Sequence, residues 1–228
     1  MACSSIWVVI PAYNEGKVIR NVLRELLDYN PSYHIVVIDD GSCDETAAVA
    51  RSFPVHVLVH PINLGQGATL ATGIKYALQE NAEVIVTFDA DGQMLPQDIG
   101  VLVNEVLNGR VDVATGSRFL ASPPVGMSKM KKIVLKLGTE FTKLTTGLSV
   151  TDTHNGIRAF KAEALRKFVI TQNQMAHASE ILAQIARNKL VHRELPVTIR
   201  YTQYSNSKGQ SVLNAINILF ELFMGDKK

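Results

Sequence analysis

Val84-Ile85-Val86-Thr87-Phe88-Asp89-Ala90-Asp91-Gly92-Gln93 is the stretch on which the fold of this chain turns. A short apolar run delivers two carboxylates, one residue apart, at the end of a buried strand. Mutual repulsion and desolvation make that arrangement costly unless a cation compensates it. A hard divalent ion, Mg²⁺ or Mn²⁺, suits the oxygen donors and shares itself readily with a diphosphate. A D-x-D by itself also occurs in ordinary surface turns. Here it belongs to an ordered series of strand-end motifs.

Outward from that stretch, a simple unit repeats: an apolar strand, a polar or Gly-containing loop, then a helix. Strands are expected at Ile6–Ile10, His34–Asp39, Val55–His60, Glu83–Asp89 and Val111–Gly116, with helices near 16–29, 44–52, 66–80 and 96–108. The alternation predicts an α/β fold: a doubly wound, mainly parallel, Rossmann-like sheet with helices on both faces. Ligands of such sheets bind beyond the carboxyl ends of the strands, and the polar residues gather there.

The second half reads differently. A basic helix is expected over 126–146, a turn entering a strand or short helix over Asp152–Phe160, and a helix over Gln174–Arg187. Val191–Tyr201 alternates as a half-buried strand, with Val191, Leu195, Val197 and Ile199 on one side. Thr202–Gln210 reads as a polar loop. The domain division is a catalytic domain over 1–210 and a C-terminal amphipathic helix over 211–228.

Composition narrows the function. With 228 residues, 46% apolar and 19% charged, the chain is long enough for one substantial core and is not disordered. A net charge of +2 gives no reason to expect nucleic acid. Two cysteines, Cys3 and Cys43, indicate neither a disulfide framework nor a cysteine metal site. The expected setting is cytoplasmic, without a signal peptide or spanning helix.

The strand-end motifs each admit a plain structural alternative. Pro11-Ala12-Tyr13-Asn14-Glu15 ends the first strand and offers polar groups at a helix start. Asp39-Asp40-Gly41-Ser42 presents paired carboxylates able to accept from a nucleobase or ribose, with Asp44 as a cap. In Asn63-Leu64-Gly65-Gln66-Gly67 the glycines allow close backbone approach, and the following helix N-terminus favours an anion. Its spacing and position do not fit a dinucleotide fingerprint.

Together P-A-Y-N-E, D-D-G-S, N-L-G-Q-G, D-A-D-G-Q, G-S-R-F and D-T-H-N-G-I-R-A-F resemble the family-2 glycosyltransferases with a GT-A catalytic domain. The similarity is to the polyprenyl-phosphate sugar synthase branch, typified by dolichyl-phosphate mannose synthase, and runs from about Val8 to about Lys208. The resemblance implies an inverting, metal-dependent transferase moving sugar from a UDP- or GDP-sugar to a dolichyl or undecaprenyl phosphate. It places Pro11, Tyr13, Glu15 and Asp39 at the base and ribose, with Asp40 supporting that pocket and Gly65 and Gly67 nearby. Asp89, Ala90 and Asp91 meet the diphosphate, and the metal falls to Asp89, Asp91 and Gln93. Arg118 faces the acceptor phosphate, Asp152 through Arg158 line the sugar and acceptor side, and Glu180 lies near the sugar. Arg200 and Lys208 belong to a loop closing over the diphosphate. Two departures stand out: Gly92-Gln93-Met94-Leu95-Pro96 replaces the branch's usual sequence after D-x-D, and Lys132 is the nearest candidate for a second acceptor-binding arginine.

An ionised lipid phosphate needs no general base, whereas a sugar hydroxyl would call on Asp152 or Glu180. Lys129, Lys131, Lys132, Lys136 and Lys143 form either a solvated face or a surface for anionic lipid. Val212, Leu213, Ile216, Leu219, Phe220 and Phe223 make the apolar face of the terminal helix. That face packs on the domain or a dimer partner, or else docks on a membrane surface or a small membrane protein. The second option places the protein peripherally on the cytoplasmic membrane face. A sugar-1-phosphate nucleotidyltransferase is disfavoured because Pro-Ala-Tyr-Asn-Glu stands where its glycine-rich loop would be.

Overall fold

The computed structural model describes residues 5–120, 139–140, 142–144, 146–174 and 176–200. Lys132, Lys208, the loop from residue 202 and the helix expected over 211–228 lie outside them. Of the basic helix expected over 126–146, the described positions 139–140, 142–144 and 146 are helical.

The first half alternates strand and helix: β1 (Ile6–Ala12), α1 (Ile19–Tyr29), β2 (His34–Asp39), α2 (Thr46–Ala50), β3 (His56–Val59), α3 (Gln66–Gln79), β4 (Val84–Thr87) and α4 (Pro96–Leu107). Then follow β5 (Val113–Ser117), β6 (Arg158–Lys161), α5 (Ala162–Leu165), α6 (His177–Arg187) and β7 (His192–Pro196). One seven-stranded sheet results, in the order β3-β2-β1-β4-β6-β5-β7. β1 to β4 are parallel, as alternation predicts. β6 is inserted antiparallel between β4 and β5, and β7 runs parallel to β5 at the edge.

The central parallel strands β1, β2 and β4 are Val/Ile-rich because both faces of the sheet are covered there. Successive residues of β1 serve opposite layers. Val8 and Ile10 join Ile19, Leu23, Ile99 and Leu102 on the α1/α4 side. Trp7 and Val9 join Leu70, Ile74, Ile181 and Ile185 on the α3/α6 side. Deleting a large buried side chain such as Phe160 would cost about 3–5 kcal/mol.

Several boundaries are shorter than the sequence suggests. α1 starts at Ile19 rather than 16, because Glu15 O first accepts the Val18 and Ile19 amides in a turn. Asp44 does accept the Thr46 amide, but it also receives Gly16 N–H at 3.0 Å, tying the end of β1 to α2. In β7 and its continuation Leu195, Val197 and Ile199 meet the core, while Val191 stays exposed. β6 pulls the segment after Asp152 into the sheet centre, and so brings the second half of the chain beside Asp89.

Candidate functional site

At the C-terminal ends of β1 and β2, two loops lock together. Asn14, in the left-handed region at φ 53°, donates its N–H to Ser42 Oγ at 2.8 Å and accepts Cys43 N–H at 2.9 Å. Glu15 N–H reaches Thr46 Oγ1 at 2.8 Å. The Ser42 hydroxyl donates to Asp39 Oδ1. Glu15 and Asp39 are buried, and Tyr13 is half exposed at the rim.

Asp40 faces inward. Its Oδ1 accepts Leu64 N–H at 3.0 Å and lies 2.7 Å from His60 Nδ1, while Oδ2 accepts Gly65 N–H at 2.8 Å. Burial opposes the charge, yet the hydrogen bonds from Leu64, His60, Gly65 and Thr69 outweigh it and hold the carboxyl below its usual range. Asp40 thus fixes the 63–65 loop rather than presenting its oxygens outward to a nucleobase or ribose.

Gly65 and Gly67 are spoken for as well. A Cβ on Gly65 would lie 2.3 Å from Asn173 O, and one on Gly67 1.9 Å from Gln172 O. Gly67 N–H donates to Asn173 O at 2.8 Å. The close approach expected there is made by the chain's own 172–173 segment. An anion at the start of α3 finds the Gly67 amide already used.

Glu180 holds that segment in place. Thr171 N–H lies 3.0 Å from both carboxylate oxygens, and Gln172 N–H donates to Oε2 at 3.0 Å. Expected near the sugar as a candidate base, Glu180 is instead engaged on both oxygens by backbone amides. Gln184 pins Val169 through a reciprocal pair of bonds.

The D-x-D loop is the centre of the site. Asp89 is half-buried and packs against Gly156, where a Cβ would come within 2.2 Å of Asp89 Oδ2, so a side chain at 156 would push the Asp89 carboxylate aside. Gln66 Nε2 donates to Asp89 Oδ1 at 3.2 Å. Desolvation, and then the neighbouring Asp91 charge, push the Asp89 carboxyl up, while Arg158, followed by Arg118, opposes the rise. Gln93 braces Asp91, donating its backbone N–H at 3.0 Å and its side-chain amide at 2.8 Å. Gly92, at φ 74°, makes the turn between them.

Arg200 lies beside this loop. Its N–H donates to Gln93 O at 2.8 Å, Ile199 bridges Met94, and its guanidinium pairs with Glu25 of α1. In this conformation that guanidinium contacts Glu25 and Met94 O.

On the other side stands a charged cluster. Arg118 donates its N–H at 3.2 Å and its Nε at 2.6 Å to Asp152 Oδ2. Asp152 Oδ1 is buried without a hydrogen-bond partner among the described residues. Arg158, on β6, donates to Thr153 O at 3.2 Å. Burial pushes its pKa down to about 10, against the Asp89 and Asp152 charges, so it remains a cation. Burial also lowers His154, and brings His177 down to about 4, keeping both neutral.

The structure therefore brings Asp89, Asp91, Gln93, Arg118 and Asp152 to one region, with Pro11, Tyr13, Glu15 and Asp39 at the adjoining strand ends. Gln66, Gly156, Glu194 and the 171–173 segment were not singled out from sequence. Arg158 and Gly156 had a signal, the N-G-I-R run, but their contact with Asp89 required β6 to lie beside β4. A divalent cation fits this site: two oxygen donors repel each other at Asp89 and Asp91, and Mg²⁺ typically uses one or two carboxylates plus substrate phosphates. Among the described residues no cluster of three or more His, Cys, Asp and Glu offers a dedicated metal cage, and none of their helices is long and apolar enough to cross a membrane.

A model of the family described as glycosyl transferase family 2 matches residues 7–169. The chain is 34% identical to a UDP-N-acetylglucosamine–dolichyl-phosphate N-acetylglucosaminyltransferase of Methanococcus voltae, over 98% of this chain and 97% of that one. It is 32% identical to a polyprenol monophosphomannose synthase of Mycolicibacterium smegmatis, over 70% and 63% respectively. Among solved structures, glucosyl-3-phosphoglycerate synthase of Mycobacterium tuberculosis with Mn²⁺, uridine diphosphate and phosphoglyceric acid superposes with TM-score 0.70. That match covers 96% of this chain and 78% of the other at 18% identity, and so speaks to the fold, which is GT-A.

Proposed function

Because the chain belongs to glycosyl transferase family 2, we propose that it transfers a sugar from a nucleotide-diphosphate donor to a polyprenyl phosphate, with inversion at the anomeric carbon. The observation that carries this reading is the half-buried Asp89, raised by desolvation and Asp91, lying between Gln66 and Gly156 and within the fields of Arg158 and Arg118. That is a place for a group that brings both a cation and a diphosphate.

Asp89 and Asp91 would hold Mg²⁺ or Mn²⁺, with Gln93 bracing Asp91. Bound there, the ion would supply the positive charge that a departing nucleoside diphosphate needs. Asp39 keeps Oδ1 on Ser42 and offers its other oxygen to a ribose hydroxyl, beside Tyr13, Pro11 and Glu15. Arg158, charged and buried, stabilises negative charge that accumulates next to Asp89. Arg118, oriented by Asp152, receives the acceptor phosphate, which is already ionised near neutral pH.

The acceptor proposal draws support from the dolichyl-phosphate relative, matched along nearly the whole of both chains. It also draws support from the state of the candidate bases. Glu180 is filled by amides and Asp152 is paired with Arg118, which suits a nucleophile that needs no proton removed. A lipid acceptor places the protein at the cytoplasmic membrane surface.

The test is a transfer assay with Mg²⁺ or Mn²⁺, a panel of labelled UDP- and GDP-sugars, and short-chain polyprenyl phosphate. Metal-dependent label in the organic phase is expected, and identifies the donor at once. Label reaching only a saccharide or water would overturn the lipid acceptor.

A further inference from the structure

Glu194 lies on the edge strand β7, in register with Thr115 of β5. From sequence it is merely a polar member of an alternating strand. In the fold its carboxylate clasps the turn that carries Asp152. Oε2 accepts Thr151 N–H at 2.7 Å and the Thr151 hydroxyl at 3.0 Å, and Oε1 accepts Asp152 N–H at 3.0 Å. Three donors converge on a group whose two oxygens both accept. A glutamine of the same shape would turn an N–H₂ toward one of them.

Two lines of contact leave this clamp for the site. Asp152 Oδ2 receives the Arg118 amide and Nε. Thr151 Oγ1 lies 2.6 Å from Ser117 Oγ, which accepts Phe119 N–H at 3.2 Å. The backbone on both sides of Arg118 and the carboxylate that orients its guanidinium therefore depend on one side chain from a third strand. The preceding residue, Arg193, pairs instead with Glu105 on α4, a surface contact leading nowhere near the site.

We infer that Glu194 is a positioning residue for sugar transfer: by clamping the 151–152 turn it fixes Asp152, and through it Arg118, to receive the acceptor phosphate. The inference rests on the transferase reading above and adds a residue that acts through another.

The full-length chain tests it by initial rates with short-chain polyprenyl phosphate and the donor that the wild type uses. In Glu194→Gln and Glu194→Ala the acceptor KM should rise tenfold or more while the donor KM stays within twofold. Glu105→Gln, which loosens the neighbouring contact of the same strand, should move neither. Unchanged KM values in Glu194→Gln, or equal rises for donor and acceptor, would overturn the inference, since general loosening predicts no such split. Hydrogen exchange supplies a readout independent of turnover. The Thr151 and Asp152 amides should exchange at least tenfold faster in Glu194→Gln, with β1 and β2 amides unaffected. Unchanged exchange would remove the clamp. A wild type that transfers no sugar would instead overturn the transferase reading, and the exchange result would then decide separately whether the clamp exists.

Discussion

Asp40 and Asp152 are equally withdrawn from solvent, at 3% and 5% exposure, but they are held in different ways. Asp40 ends a strand in the parallel half of the sheet and is met from the next loop by the Leu64 and Gly65 amides, with the His60 ring beside it. Asp152 stands in the half reorganised by β6, where its carboxylate accepts from the Arg118 amide and guanidinium and its own amide donates to the Glu194 carboxylate. In the parallel half, backbone amides meet both oxygens of the carboxylate. The mixed half balances charge against charge, and each member depends on the others. Breaking a buried pair costs far more than losing one neutral hydrogen bond.

That contrast can be tested at several strengths. Asp91→Asn should lower turnover by about 10³-fold, because it removes half of the proposed cation site. It should leave metal-free thermal stability unchanged or higher, since the repulsion on Asp89 is relieved. The stabilisation that Mn²⁺ gives the wild type should disappear, as read by thermal unfolding with and without metal. Normal turnover in this variant would remove the mechanism.

Arg158→Met strikes the charged half directly. It removes the buried cation that faces the half-buried Asp89 and the buried Asp152, and should cost about 3–5 kcal/mol in denaturant unfolding. Asp40→Asn, the parallel-half counterpart, should cost about 1–3 kcal/mol. Equal losses would erase the distinction between the halves.

Glu180→Gln should have a smaller effect, roughly 1 kcal/mol for the weakened hold on Thr171 and Gln172, with more than a tenth of turnover retained. The acid limb of its kcat–pH profile should match the wild type. Loss of that limb would restore Glu180 as a base.

Acid should also separate the halves. His177 and His192, both in the second half of the chain, are pushed by burial down to about 4 from 6.5. Unfolded, they take up protons near 6.5; folded, they do so only near 4. Their contribution to stability is intact above pH 6.5 and is lost as pH falls toward 4. Asp40, lowered in the fold, keeps its contribution until pH drops below the ordinary carboxylate range of about 3.9. Thermal unfolding measured from pH 7 to 4 should therefore slope less in His192→Gln than in the wild type.

Much of the architecture was legible before any coordinates. Val84–Val86 and His34–Asp39 declare buried strands because hydrophobic runs are local signals, and they place Asp89 and Asp39 at strand ends. The glycines of Asn63–Gly67 were equally visible, but their partner was not. The sequence suggests an anion there, and the fold supplies Asn173 and Gln172. Glu180 likewise announces an acid on a helix face without revealing the amides it meets. Glu194 gave no signal, since a polar residue in an alternating strand looks the same whether it faces water or a turn.

The sequence by itself determined the β-α alternation, the gathering of carboxylates at strand ends and, through the run of motifs, the family. Those properties depend on periodicity and on residues adjacent along the chain. Only the tertiary structure decided that β6 enters antiparallel beside β4, that Gly156 and Arg158 meet Asp89, and that Glu194 holds Asp152. The physical reason is separation. A carboxylate's role is set by whichever partners strand order brings to it, and Asp152's lie 34 and 42 residues away along the chain, beyond the reach of any local pattern.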